Sequence, residues 1–174
     1  MKLRVLLLSI ASLLLVTLLA QLNHYLGAWQ LHVWCGGLFV AFTSLRLDFR
    51  AGAAASFIGG LLLDASAPIP FGTQGLLFLA AHAVIFNIRA RAPREETIVG
   101  VMVALLANLG LFLVISFLRL DGVPNSSDAW VRNFADLLVS QIVLALIAPW
   151  FFAMQTRLLR LGGTELRDTA RGAF

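Results

Sequence analysis

The feature that most constrains this chain is the gathering of its apolar residues into six long runs, separated by short connections that hold most of the charges. A helix that crosses a bilayer needs about 20 mostly apolar residues. Of the 174 residues, 60% are hydrophobic and 13% are charged, whereas soluble domains average about 45–50% apolar and about 25% charged. The sequence therefore predicts an all-α fold, a polytopic membrane helix bundle of about six transmembrane helices. The predicted spans are residues 5–21, 28–45, 51–67, 73–88, 97–118 and 134–154.

The third and fourth spans leave an alternative open. The uncharged part of the third, residues 51–63, is shorter than a bilayer requires, and Pro68 and Pro70 disfavour helix directly after it. These two segments either cross fully or form a re-entrant hairpin. Residues 1–161 are expected to form a single transmembrane domain, and residues 162–174 a short polar cytoplasmic tail.

The basic residues are distributed very unequally between alternate connections. Only Arg119 and Arg132, of 13 basic residues, fall in outer segments when the amino terminus is placed inside. Because lysine and arginine are retained on the cytoplasmic side, we expect a multi-pass protein with both termini cytoplasmic. The arginines flank helices and do not alternate with aromatic residues, so no nucleic-acid partner is expected.

A stripe of small residues runs along the third span. Gly52, Ser56, Gly60 and Asp64 recur every four residues, a spacing that lets two helix backbones approach closely in lipid. The stripe indicates either packing within the chain or a docking face for a helix of another protein. The second interpretation makes these four residues candidate partner-binding residues.

Asp64 ends the stripe and stands just before the fourth span. The first amides of a helix lack intrahelical partners, and a carboxylate there can accept them. The sequence thus predicts a capping role, with Thr73 and Gln74 adding further capping atoms. The rival hypothesis is a proton relay, which would need other polar groups within the membrane. Its candidate members are His82, Asn108, Asp136 and Gln141.

Catalytic and cofactor motifs are missing from the sequence. It contains no G-x-S-x-G elbow, no phosphate-binding glycine loop and no H-E-x-x-H pair. Cys35 is the single cysteine, which excludes an intrachain disulfide and any cysteine-rich metal site. Asp64 and Asp136 could form an aspartic dyad as in lipoprotein signal peptidases, but the asparagine motifs of that family are absent. We expect a non-enzymatic protein with no cofactor and no metal site.

The densest charge cluster follows the fourth span and contains Arg89, Arg91 and Arg94, with Glu95 and Glu96 directly after them. Positive-inside topology and capping of the fifth helix by the two glutamates account for it. The alternative hypothesis is a cytoplasmic partner site at the three arginines.

Two segments resemble a known family. Residues 57–64 read Phe-Ile-Gly-Gly-Leu-Leu-Leu-Asp, with Gly60 and Asp64 at their end, and Gly72 follows before another apolar helix. Near the carboxyl end, Pro149 and Trp150 stand in an aromatic run before a basic tail. This pattern resembles the rod shape-determining membrane protein family MreD of bacteria. The chain departs from that family at residues 30–34, as a divergent member would.

The resemblance implies a function, a location and a set of partners. Members are non-enzymatic scaffolds of the bacterial cell-elongation (rod shape) machinery in the cytoplasmic (inner) membrane. They are expected to link the single-span protein MreC and the actin homologue MreB to peptidoglycan synthesis by RodA and its transpeptidase partner, within the lipid bilayer. Their fold is similar to the substrate-binding subunits of energy-coupling-factor transporters. The alternative function is therefore a membrane subunit that binds a small, vitamin-type molecule.

Overall fold

The computed structural model describes residues 2–65, 69–89, 97–120 and 126–161, which are mostly helical and contain no strand. Six α-helices occur there. They are α1 (Lys2–Leu26), α2 (Gly36–Arg46), α3 (Phe49–Asp64), α4 (Thr73–Ile88), α5 (Thr97–Leu120) and α6 (Ser126–Leu161). The prediction of an all-α bundle is confirmed at this level. The predicted polar tail, 162–174, lies outside the described ranges.

Successive helices run in opposite directions, which gives the bundle two ends. Asp64, at the end of α3, lies beside the start of α4, because it accepts a hydrogen bond from the amide of Gly72. At the opposite end Arg89, just after α4, reaches the last turn of α2 through the carbonyl oxygen of Ser44. We refer to these as the Asp64 end and the Arg89 end.

The short helix α2 lies at the centre of the bundle. Every residue from Gly36 to Ser44 is buried, and the phenylalanine rings of this helix pack edge-on against α6, as Phe39 does on Phe151 at 5.8 Å between ring centroids. The helix has 11 residues, so at 1.5 Å per residue it is about 16 Å long. That is about half the thickness of a bilayer's hydrocarbon core.

The prediction of one continuous helix over residues 28–45 is therefore wrong. A single 3₁₀ turn, Gly27–Trp29, follows α1, Gln30 takes a left-handed conformation with φ of 56°, and residues 31–35 are not helical. Gly36 and Gly37 are poor helix formers, and the amides of His32, Val33 and Trp34 find partners in other helices, described below. We call residues 31–35 the entry segment.

The last helix also differs from the prediction. The expected loop from Arg119 to Asn133 is largely helical, because α5 continues to Leu120 and α6 already begins at Ser126. The helix α6 has 36 residues, with Pro149 inside it, so the proline and aromatic run does not close the helix. Proline lacks only one amide and disfavours helix without forbidding it.

Two of the helices are long and apolar enough to cross a membrane, judged by length and composition. The qualifying stretches are Ile98–Arg119 in α5 and Ser127–Leu158 in α6. The stretches Leu13–Trp29 and Thr73–Ile88 are apolar but shorter. On the outer faces of α5 and α6, large apolar side chains are exposed, including Leu106 at 67% and Leu146 at 76%.

Candidate functional site

The small-residue stripe of α3 faces the interior of its own chain. A Cβ atom at Gly60 would lie 2.6 Å from the carbonyl oxygen of Gln74 and 2.6 Å from Cα of Gly75. A Cβ atom at Gly52 would collide with the ring of His82. Since the backbone of α4 already occupies the stripe, these glycines are not exposed to a helix of another protein, and the docking interpretation needs correcting at this face.

Ser56, the third stripe residue, pairs with α2. Its side chain is fully buried, and its Oγ lies 2.6 Å from Oγ1 of Thr43. Either hydroxyl can donate in this pair, and Oγ1 of Thr43 also lies within hydrogen-bond distance of the carbonyl oxygens of Phe39 and Val40. The contact joins α3 to α2.

Asp64 caps the start of α4. Its carboxylate accepts hydrogen bonds from the amides of Gly72 at 2.9 Å, Gln74 at 3.1 Å and Gly75 at 3.3 Å. Gly72 precedes the helix with φ of 97°, a left-handed conformation that favours glycine. The side chain of Asp64 is only 4% exposed. The carboxylate therefore satisfies the otherwise bare first amides of a buried helix, as its position in the sequence predicts.

The two residues expected to add capping atoms do something else. Thr73 donates through Oγ1 to the carbonyl oxygen of Pro70. Gln74 is 1% exposed, and its Oε1 accepts a hydrogen bond from Nε1 of Trp34 at 3.2 Å. The prediction of side-chain caps from Thr73 and Gln74 is wrong, because Asp64 already occupies those amides. Gln74 instead connects the start of α4 to the entry segment.

The backbone of the entry segment forms hydrogen bonds with side chains of α1 and α6. The amide of His32 donates to Asp136 Oδ1 at 2.9 Å, and the amide of Trp34 donates to Ser140 Oγ at 2.9 Å. Asn23 of α1 forms a two-way pair with Val33, accepting from its amide at 2.8 Å and donating to its carbonyl oxygen at 2.9 Å. Non-helical backbone deep in a membrane protein requires such internal partners.

Asn108 completes this arrangement from the middle of α5. Its Oδ1 accepts from the amide of Gly37 at 3.1 Å, and its Nδ2 donates to the carbonyl oxygen of Trp34 at 3.2 Å. Asn108 is fully buried, and a Cβ atom at Gly37 would collide with its backbone. The close approach of α2 and α5 thus depends on Gly37. We call the side chains of Asn23, Gln74, Asn108, Asp136 and Ser140 the polar cluster.

Asp136 stands near the start of the predicted sixth span, residues 134–154. Because α6 begins at Ser126, Asp136 lies well inside the helix, and its carboxylate serves the amide of His32. Neither Asn23 nor Ser140 was recognised as a candidate from the sequence. The one signal that could have drawn attention to the entry segment is the glycine pair at 36 and 37 within an apolar run.

The last turn of α2 is capped by Arg89. Its Nη1 donates to the carbonyl oxygens of Ser44 at 2.6 Å and Leu47 at 2.7 Å, and its guanidinium lies 3.6 Å from the ring centroid of Phe86. Since these contacts hold Arg89 inside the chain, its hypothesised role as a partner-binding residue needs correction. Arg91 and Arg94, named in the same hypothesis, lie outside the described residues.

His82 is fully buried beside the same turn. Its Nδ1 lies 3.0 Å from Oγ of Ser44. Oγ of Ser44 also donates to the carbonyl oxygen of Val40 at 2.6 Å. The other candidate relay groups bond elsewhere, Asn108 to α2 and Gln141 to the carbonyl oxygen of Leu105. The described contacts therefore do not join the relay candidates into one path.

Pro149 and Trp150 lie on the outer surface of α6. Both are exposed, Trp150 at 58%. The second segment that resembles the family therefore lies on the outside of the bundle. Its side chains are apolar and exposed, in contrast to the buried polar cluster.

Within the described residues, no group of three His, Cys, Asp or Glu side chains comes together that could hold a metal ion. Cys35 is buried, and burial disfavours a reactive thiolate. What the polar side chains accomplish in this geometry is mechanical, because they fix a broken helix at the centre of the bundle.

Comparisons with known proteins leave the family open. No protein-family model matches the chain, and neither a curated protein nor a solved structure is significantly similar to it.

Proposed function

We propose that this chain is an integral protein of the bacterial cytoplasmic membrane, with six helices embedded in lipid and both termini in the cytoplasm. The support is that polar side chains are buried while large apolar side chains are exposed, the reverse of the pattern in a soluble protein. Polar side chains such as Asn108 and Ser140 are fully buried, whereas Leu106 and Leu146 are largely exposed. In water this pattern would be costly, because contiguous apolar surface of this extent is rare on soluble monomers.

Within that membrane, we propose a non-enzymatic scaffold of the cell-elongation machinery, of the MreD type. The observation that carries this proposal is that polar side chains of three helices, among them the buried Asn108 and Ser140, bond to the backbone at the start of α2 and fix its position. A scaffold needs a rigid shape and apolar faces for partner helices, and it needs no reactive group. The resemblance adds the specific expectation, since Gly60, Asp64 and Gly72 are the residues that build the turn between α3 and α4.

The transporter-subunit alternative gains no comparable support. A site for a small molecule would need polar groups that converge on an accessible cavity. The candidates for that role at the Asp64 end are engaged within the chain: Asp64 with the amides of α4, Gln74 with Trp34, and Asp136 with His32. The fold is nonetheless proposed to be similar to those subunits, as the resemblance implies.

Because the stripe of α3 is filled from within, we propose that the MreC-like helix contacts the outer faces of α5 and α6. Trp150 and Leu146 are prominent there, and large aromatic side chains are the common anchors of protein interfaces. The cytoplasmic connections, including Arg91 and Arg94, are proposed to face the MreB-like protein. RodA and its transpeptidase partner are proposed to join through the same assembly.

The decisive experiment is site-specific crosslinking in native membranes. The chain has one cysteine, the buried Cys35, so a Cys35→Ser background accepts single cysteines at Leu106, on α5, and Leu146, on α6. We expect crosslinks to an MreC-like protein from one of these positions, and co-purification of an MreB-like protein. A cysteine at buried Leu144 is the matched control on α6.

Two outcomes would contradict the proposal. Enrichment of energy-coupling ATPases in place of the MreC-like protein would favour the transporter subunit. Labelling that places the two termini on opposite faces would remove the six-helix topology, and with it the membrane arrangement on which the scaffold depends.

A further inference from the structure

The connection between α2 and α3 presents two arginines that no contact within the described chain uses. Arg46 is the last residue of α2 and Arg50 lies in the first turn of α3. Neither has a hydrogen bond or ion pair with another described residue, in contrast to Arg89, which is bonded to two carbonyl oxygens. Arg50 is exposed and Arg46 half-buried. Between them Phe49 is 46% exposed.

The remaining groups of this connection are held by contacts within the chain. Asp48 accepts from the amide of Ala51 at 3.2 Å, so its carboxylate serves the start of α3 and offsets one of the two positive charges. Arg89 binds the carbonyl oxygens of Ser44 and Leu47, on the opposite side of the turn. Phe49 packs on Phe86 with 5.1 Å between ring centroids. The turn is therefore fixed, and positive charge with an apolar ring is what it presents outward.

We infer that this turn is a docking surface for the phosphate headgroup of an anionic phospholipid, bound by Arg46 and Arg50 with Phe49 against the adjoining acyl chains. The inference rests on the membrane location proposed above. Arginine presents a planar fork of donors that matches phosphate, and anionic lipids attract basic segments. Residues 46–50 carry two arginines and one aspartate, a net charge of +1, whereas residues 119–132 carry two arginines and two aspartates, a net charge of zero.

The full chain should be reconstituted into nanodiscs of phosphatidylcholine alone or mixed with phosphatidylglycerol. Thermal unfolding and the ratio of the two lipids retained after detergent extraction are then measured. We expect phosphatidylglycerol to raise the Tm by about 2–4 °C and to be retained in excess of its share. In R46Q/R50Q both effects should disappear, and in R46K/R50K they should be partial, because lysine keeps the charge without the fork.

The matched control is R119Q/R132Q, which removes the same number of charges at the Asp64 end and should keep both effects. Equal loss in the two double variants would overturn the inference, and so would inorganic phosphate in detergent reproducing the Tm shift. Retention of lipid binding in R46Q/R50Q with loss of an MreB-like protein would assign the surface to a protein partner instead. Failure of the chain to enter bilayers would overturn the proposed function, whereas entry without any response to phosphatidylglycerol would overturn only this inference.

Discussion

The starts of α2 and α4 solve the same physical problem in opposite ways. Both helices begin inside the bundle, where their first amides have no water to bind. At α4, one carboxylate, Asp64, serves three amides from 8 to 11 residues away in the sequence. At α2, the partners are spread over the three helices α1, α5 and α6, and Trp34 and its partner Ser140 are 106 residues apart.

The two helix starts differ in how far along the sequence their capping residues lie. A cap built from one nearby residue can be recognised in the sequence and is lost by a single substitution. A cap built from many distant residues is invisible in any local pattern, and it should weaken stepwise when its members are removed. The predictions below test that contrast, beginning with the largest expected effect.

Replacing Asp64 by alanine should be the most damaging change. It leaves the amides of Gly72, Gln74 and Gly75 without an acceptor in a buried site, and each unsatisfied group costs about 1–3 kcal/mol. We expect a loss of at least about 3 kcal/mol in the free energy of unfolding, measured in mixed micelles. Asp64→Asn keeps one acceptor oxygen and should lose clearly less. An asparagine variant as unstable as the alanine variant would instead indicate a need for the charge.

Gly60→Ala should be second in size. The added methyl group meets the backbone of α4 at 2.6 Å, and overpacking typically costs about 1–3 kcal/mol. Gly59→Ala is the matched control, because the nearest atom to its Cβ, Cβ of Phe39, lies 4.0 Å away. Tm and membrane abundance should fall together for Gly60→Ala and stay unchanged for Gly59→Ala. Lost partner association with unchanged Tm would restore the docking interpretation of the stripe.

Asn108→Ala and Ser140→Ala should each have moderate effects. Asn108 serves one amide and one carbonyl group, whereas Ser140 serves the amide of Trp34. We expect losses of about 1–3 and about 1 kcal/mol in unfolding free energy. The double variant should lose less than the sum if one substitution already loosens the entry segment. Complete unfolding of the Ser140 variant would show that the α2 cap is as concentrated as that of α4.

Trp150→Leu should change stability least, within about 0.5 kcal/mol, because its side chain is 58% exposed on the outer face of α6. Its effect is expected in recruitment of the MreC-like protein, measured by co-purification. A large loss of Tm would mean that the outer surface contributes to the fold. That outcome would remove the contrast between a polar interior that sets shape and an apolar exterior that meets partners.

Much of the fold is readable from the sequence because apolar runs and turn residues are local signals. The predicted bounds of the fourth span, 73–88, coincide with α4, and the predicted cap at Asp64 is the one observed. The high overall hydrophobicity of residues 28–45 conceals the break at Gln30. A run of apolar residues indicates burial or lipid, and it does not by itself require helix.

The sequence predicts several residues of the candidate site, but it does not predict which groups they form hydrogen bonds with. Asp64, Gln74, Asn108 and Asp136 stand out because polar side chains are rare in the spans. Their partners depend on which helices become neighbours, which one sequence does not state. Asn23 and Ser140 look like ordinary helix residues until the entry segment is placed beside them. Likewise, the periodicity of the stripe predicted close packing of α3 without stating which helix fills it.

The long reach of the α2 cap has a consequence for biosynthesis. When the second helix leaves the ribosome, Asn108, Asp136 and Ser140 have not yet been made, although they will bond to residues 32, 34 and 37. Until the sixth helix has been made, these backbone groups must bond to water or to other partners. The start of α2 therefore reaches its final structure last, and a chain truncated before residue 136 should not hold this stretch in its fixed position.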